Sequence, residues 1–208
     1  MINYTNLDAS YDSIVIFDML SDSERKSNMI SEKLETFIKQ NKYSAILFKL
    51  TTKDELFEKL NNLLDNVKQG KKYMFHFVCH GNIDGIGFKH TNEFIPWKLL
   101  EDILVLINLN SNNSLVLNLT SCFGIHAIKT VNPFSSDKAF FGLIGYDGKL
   151  QKQLGIKVNE RYYKLIMDGY KINDAIKDIV SYFLDDKFKC ITSQGYSELT
   201  KIGKNLLI

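Results

Sequence analysis

His80-Gly81 closes one apolar run, "FHFVCHG" at 75–81, and Cys122 closes the next, in "LVLNLTSCFG" at 115–124. A thiol and an imidazole can form a nucleophile and its base. The thiolate is the attacking form, and at neutral pH only a few per cent, roughly, of a free thiol is ionised. A neighbouring imidazole takes the proton and later returns it to the leaving amine. The tetrahedral intermediate needs N–H donors aimed at its oxyanion, and losing one costs about 100- to 1000-fold in rate. Gly81 and Cys122 each offer a backbone N–H at such a strand end. Glycine at 81 also lets a substrate come close to the backbone.

Each residue has a purely structural explanation as well. Cysteine is among the most buried residue types, and a strand histidine is often a satisfied core residue. The chemical reading rests on the coincidence of both at the tips of successive strands. On a strand, residues 76 and 80 share a face, so His76 is expected to support His80 from behind. His126, shortly after Cys122, is a rival base. A helical start at 123–129 would point it away, so His80 is preferred. A metal site at His76, Cys79 and His80 is disfavoured, because alternation puts Cys79 on the opposite face and His90 and His126 join only by coincidence. Cys79 and Cys190 are expected in the core. Gly85-Ile86-Gly87 is an incomplete dinucleotide fingerprint with no helix directly behind it. The aromatic residues Phe140, Phe141, Tyr162 and Tyr163 read as packing between helix and sheet. No cofactor is implied.

The elements that must position this pair follow from periodicity. Strands are expected at 13–17, 44–50, 72–79, 114–120, 139–145 and 188–192. Helices are expected behind two capping boxes, Ser21 with Glu24 and Thr52 with Glu55, the second ending at Gly70. A glycine turn and short hairpin follow through Gly85–Phe88. Pro96 suits the first position of a helix to about Leu109. Two further helices, about 159–168 and 173–184, break at Gly169, and 149–157 reads as a solvated basic loop. Strand–helix alternation of this kind implies a three-layer α/β/α sandwich with a mainly parallel central sheet. Such sheets bind ligands beyond the carboxyl ends of their strands. His80 and Cys122 both fall there, on strands expected to be neighbours.

The bulk numbers set limits. The chain has 208 residues, enough to bury a core without staples, and a single domain over 1–208 is expected. Hydrophobic residues make up 45% and charged residues 24%, which is ordinary for a globular domain. Lys and Arg number 26 against 24 Asp and Glu, a net charge of +2, so neither a nucleic-acid nor a membrane surface is indicated. Three widely spaced Cys form no disulfide framework, which favours a reducing, cytoplasmic setting. The opening MINYTNLDASYD lacks the basic and apolar regions of a signal peptide.

These residues resemble a known family. "HFVCHG" at 76–81 resembles the His-Gly motif of caspase-like cysteine peptidases, closest to the CHAT branch, where an apolar strand reads His-x-x-x-His-Gly. "LVLNLTSCFG" resembles the strand that carries the family's nucleophile. "RYYKLIMDGYKINDAI" at 161–176 resembles a third CHAT feature, an aromatic-rich helix, a glycine and a second helix. The resemblance covers about residues 70–185. It implies Cys122 as nucleophile, His80 as base, and the N–H groups of Gly81 and Cys122 as the oxyanion hole. His76 matches the family's first histidine. Position 120 often shapes the primary specificity pocket in relatives, and Thr120 here departs from an acidic or amide residue. Asp84 and Asp147 lie in loops expected to reach the same edge and bind substrate.

The implied function is a cysteine endopeptidase acting on a protein target. The alternative is a non-catalytic caspase-like module that binds partners, and an acyl transferase using the same dyad is a distant third. Retention of both Cys and His favours the enzyme. The fold uses about residues 13–192, leaving no sensor domain, so control is expected from a partner protein, a small ligand or cleavage. The turn-rich segment 123–138 is the expected lever, loose until a partner orders it.

Overall fold

The computed structural model describes residues 11–205. Six strands form the central sheet: β1 Ser13–Asp18, β2 Ala45–Lys49, β3 Tyr73–Val78, β7 Val116–Leu119, β8 Gly142–Tyr146 and β9 Phe188–Thr192. Their order is β2-β1-β3-β7-β8-β9. Every pairing is parallel except the last, where β9 runs antiparallel to β8. The two strands expected to be neighbours are paired, with His76 opposite Asn118. β1 and β3 are buried along almost their full length, which is why they read as unbroken apolar runs.

Alternation divides the sheet's residues between two cores. Val15, Phe17, Phe75, Phe77, Leu117 and Leu119 face α3 Lys53–Lys68 and α4 Trp97–Asn110. Ile14, Ile16, Met74, Val78 and Val116 face α2 Ile30–Gln40, α5 Lys152–Met167 and α6 Ile172–Phe183. The three-layer sandwich expected from the sequence is the one observed.

Local signals set several boundaries. Ser21 caps α1 Asp22–Asn28 in a full capping box with Glu24. Met29, in the left-handed region at φ 49°, then separates α1 from α2. The Thr52 hydroxyl caps Glu55 N–H, but the Glu55 carboxylate returns to Thr51 N–H rather than to Thr52, so this second box is only half formed. Gly70 closes α3 at φ +93°.

Other boundaries differ from expectation. Pro96 is the N-cap rather than the first residue of α4, because its ψ of 144° is extended. The expected hairpin is a three-stranded antiparallel sheet, β4 His80–Asn82, β5 Gly85–Phe88 and β6 Glu93–Pro96. α5 starts at Lys152, so the expected basic loop is its first two turns. A last helix, α7 Ser193–Asn205, follows β9.

Segment 123–138 also departs from expectation. Gly124–Thr130 is a 3-10 helix with Gly124, Ala127 and Thr130 buried, and Val131 is buried behind it. It lies so close to the sheet that a side-chain carbon on Gly145 would stand 2.3 Å from Ile125 N. Gly145→Ala is therefore expected to cost about 3 kcal/mol through overpacking. For a chain of this size that lowers Tm by roughly 6–12 °C. Gly142→Ala, whose new carbon meets only Val116 at an ordinary 3.6 Å, should leave Tm nearly unchanged by calorimetry.

Candidate active site

β1 leads to β2 on one side and, through β2, the chain returns to β3 on the other, so the strand order reverses between β1 and β3. Open α/β sheets bind ligands in the crevice at that reversal. A cavity of about 230 Å³ lies there, lined by Leu20 after β1, by 76–80 from β3, by 120–122 after β7 and by the start of α5. His80, Cys122, His76, Thr120 and Cys79 all line it. Cys79, expected on the opposite face from His76 and His80, lines the same cavity, because β3 ends at Val78 and strict alternation stops there.

His80 is the first residue of β4 and is half-buried. Its Nε2 lies 2.9 Å from Glu24 Oε1. Glu24 Oε2 accepts from the Ser21 N–H and hydroxyl at 3.0 and 2.7 Å. Burial alone would raise the Glu24 pKa, but the Ser21 bonds and His80 more than offset it and hold it at about 2. Glu24 is therefore an anion and accepts only, so His80 Nε2 carries the proton and Nδ1 is left to act as a base. α1, which carries Glu24, is tied down by buried Arg25. Its guanidinium bonds the carbonyls of Asp18 and Leu50 at 2.9 and 2.5 Å and lies 3.3 Å from the Asp18 carboxylate.

Cys122 sits in the turn after β7, with Sγ 3.9 Å from the Leu150 carbonyl oxygen. Phe123 follows in the left-handed region at φ 56°. Gly124 then packs on the Leu119 carbonyl, leaving no room there for a side chain. This sharp reversal presents Cys122 at the strand tip. The next two N–H groups are already used, Phe123 by Gly148 O and Gly124 by Ser121 O. Gly81 abuts the same turn: a side-chain carbon on it would stand 2.6 Å from the Cys122 carbonyl oxygen. The two residues expected to form an oxyanion hole are thus backbone to backbone.

His76 is fully buried and kept neutral, its pKa pushed down to about 3 by burial. Its Nδ1 lies 2.8 Å from the Tyr163 hydroxyl, which also meets Asn118 Nδ2 at 3.3 Å. Thr120 Oγ1 donates to Asn159 Oδ1 at 2.8 Å. The remaining candidates lie elsewhere. Asp84 is exposed in the β4–β5 turn and pairs with Lys129 at 3.3 Å. Asp147 pairs with Lys189 at 3.1 Å and with His126 Nε2 at 3.4 Å, and Lys189 foremost lowers its pKa. Asp84, Asp147 and His126 do not line the cavity. His90 bonds the Thr51 carbonyl. Cys190 donates to Asn173 at 2.8 Å. Among the described residues, no group of three or more His, Cys, Asp or Glu side chains is placed to hold a metal ion, and no helix is long and apolar enough to cross a membrane.

Sequence reasoning missed two contributors. Glu24 was accounted for as a capping residue, and Tyr163 as packing. For Glu24 a signal was present: its capping box follows β1 directly and so lies on the same sheet edge as His80.

Comparison of the sequence with protein-family models and with curated proteins finds no match. Among solved structures the chain is similar to drICE, a caspase, with TM-score 0.57 and 14% identity over 90% of each chain. Raptor from Chaetomium thermophilum is matched at TM-score 0.45 and 10% identity, over 79% of this chain and 20% of that one. At such identities the drICE likeness speaks to architecture alone, and the architecture of this chain is the caspase-like fold.

Proposed function

We propose that this chain is a cysteine peptidase that cleaves a protein target, with Cys122 as nucleophile and His80 as base. The observation that carries the reading is the 2.9 Å contact of His80 Nε2 with Glu24, in a cavity that Cys122 also lines. A base held by an ionised carboxylate beside a thiol at a sheet's carboxyl edge is the arrangement acyl transfer needs. His80 Nδ1 takes the Cys122 proton, and Sγ attacks the scissile carbonyl. The N–H groups of Gly81 and Cys122 hold the oxyanion. The imidazolium gives its proton to the leaving amine, and water, deprotonated by the same nitrogen, then hydrolyses the thioester. The His76–Gly81 motif further assigns the chain to the CHAT branch in this reading.

The test is alkylation with iodoacetamide. Burial pushes the Cys79 thiol up to about 12 and Cys190 up to about 11. At pH 8 these leave roughly 1 in 10,000 and 1 in 1,000 as thiolate. Burial alone slows Cys79 and Cys190, so the dyad is read on Cys122 itself: at pH 6, where an ordinary thiol is almost wholly protonated, His80→Ala should slow Cys122 labelling about 10-fold or more, read by peptide mass mapping. Cys122 labelling that His80→Ala leaves unchanged would instead support the non-catalytic binding module.

A further inference from the structure

The cavity beside Cys122 has a built polar end, and its hydrogen-bond polarity can be worked out. Tyr163 is buried, and burial keeps it a neutral phenol with one proton to donate. Its oxygen is approached by two groups, Asn118 Nδ2 and His76 Nδ1. The Asn118 amide is oriented by its Oδ1, which accepts from Thr120 N–H at 3.2 Å, so Nδ2 is the donor to Tyr163. Giving the Tyr163 proton to His76 Nδ1 pairs the phenol both as donor and as acceptor, and puts the proton of the neutral imidazole on Nε2. His76 lines the cavity and is 99% buried, and among the described residues its Nε2 has no partner. An N–H donor without a protein acceptor thus faces the space next to the nucleophile.

Thr120 supplies the complement. Its hydroxyl proton is spent on Asn159 Oδ1, which also accepts from Asn118 Nδ2. Asn159 Nδ2 is spent on the Gly155 carbonyl. Thr120 Oγ1 keeps lone pairs, and Thr120 lines the same cavity. Leu20, Ile30, Leu150 and Ile156 supply aliphatic walls, and Asn28 and Ser121, whose buried hydroxyl has no partner among the described residues, add polar groups to the lining. The cavity's 230 Å³ equals the liquid volume of about eight waters, enough for one medium-sized side chain. The charged groups are Glu24, already engaged by Ser21 and His80, and Lys152, which is exposed.

We propose that this cavity receives the side chain of the residue whose carbonyl Cys122 attacks, and that it selects a primary amide on an apolar stem, glutamine. This rests on the peptidase reading and names its substrate class. The amide oxygen accepts from His76 Nε2–H, the amide N–H donates to Thr120 Oγ1, and the two methylenes lie against the aliphatic walls. A carboxylate meets the Thr120 lone pairs and the Glu24 anion with no buried cation to offset them. Lysine or arginine brings only donors to the His76 donor. Leucine or methionine fits the walls but leaves the N–H of His76 without a strong acceptor. Sites built to hydrogen-bond a substrate group reject analogues lacking it by large factors, and about 100-fold is expected here.

The experiment uses the purified full chain and peptidyl vinyl sulfones that differ only in the side chain next to the warhead: glutamine, glutamate, aspartate, methionine, leucine and arginine. The measured quantity is the second-order rate of adduct formation at Cys122. This requires a thiolate and a fitting pocket but no turnover. The glutamine probe should react about 100-fold faster than the leucine and glutamate probes. In His76→Phe, with folding checked by circular dichroism, the ratio of the glutamine rate to the leucine rate should fall from about 100 to about 1, whatever the change in the leucine rate itself. A glutamate, arginine or leucine probe equal to or faster than glutamine overturns the proposal, as do equal rates for all six on the unmodified chain. These outcomes leave the peptidase reading standing, because that reading is judged separately by the His80 dependence of iodoacetamide labelling.

Discussion

Cys122→Ala and His80→Ala are each expected to lower kcat/KM for a cleaved peptide about 10,000-fold or more, and the double variant should be little worse than either. The expectation follows from shared function. Without the thiol, His80 has no proton to take. Without His80, Cys122 keeps its proton and the leaving amine receives none. Residues acting as one unit are strongly non-additive, and what remains is supplied by binding and the oxyanion hole. The measurement is single-turnover cleavage of a fluorogenic peptide by the three variants, with circular dichroism to confirm folding. Both side chains are partly exposed at strand tips, so neither truncation opens a core cavity. Retention of wild-type turnover by Cys122→Ala would end the assignment. Multiplicative losses in the double variant would mean the two residues act in separate steps.

The architecture was largely legible because parallel strands covered on both faces read as plain apolar runs. Tyr73–Val78 is buried at every position and has no polar alternation to confuse the reading. α5 was misjudged for a physical reason. Its first turns, Lys152–Gly155, follow Gln151, which makes no side-chain cap, and Gly155 reads as a breaker. In the structure Gly155 is a packing device. Its lack of a side chain lets α5 come close to Leu150 and to the Thr120 carbonyl, and so helps wall the cavity. α7 was missed in the same way, with Gly195 and Gly203 diluting its pattern.

The expected lever, 123–138, looked loose because Asn132-Pro133 and Ser135-Ser136-Asp137 dominate its composition. Its first half is anchored by Gly124 against Leu119, a local turn contact, and by Gly145 against Ile125, twenty residues apart, and neither is visible to periodicity. That packing holds 124–131, while 132–138 stays exposed or half-buried, so the expected lever is confined to its second half.

The placing of His80 and Cys122 on one cavity was legible because strand ends alone bring them to one edge. Tyr163 was not, and Glu24 was marked only by its place directly after β1, since each also has a local role that accounts for it. The Glu24 side chain completes a capping box with Ser21 and contacts a histidine far away in sequence with its second oxygen.

That double duty can be separated by experiment. Glu24→Gln should lower kcat about 100-fold with KM nearly unchanged. The amide oxygen can still accept from His80 Nε2, but the anion that stabilises the imidazolium in the transition state is gone. A buried carboxylate in the same relation is worth up to about 10,000-fold. This pair is partly solvated, with side-chain exposures of 43% for His80 and 28% for Glu24, so the smaller figure is expected. Ser21→Ala should behave in the opposite sense, losing about 1 kcal/mol of stability with the cap but keeping most of kcat, because the Glu24–His80 contact remains. The pH dependence gives a second readout. The folded Glu24 pKa of about 2 lies below its ordinary 4.5, so the unfolded chain binds the proton more readily. Its contribution to stability is present in full above pH 4.5 and is lost as pH falls toward 2. In Glu24→Gln that loss should vanish from the acid limb of a denaturation series. Equal kcat for Glu24→Gln and the parent chain, with only the stability limb changed, would reduce Glu24 to a capping residue.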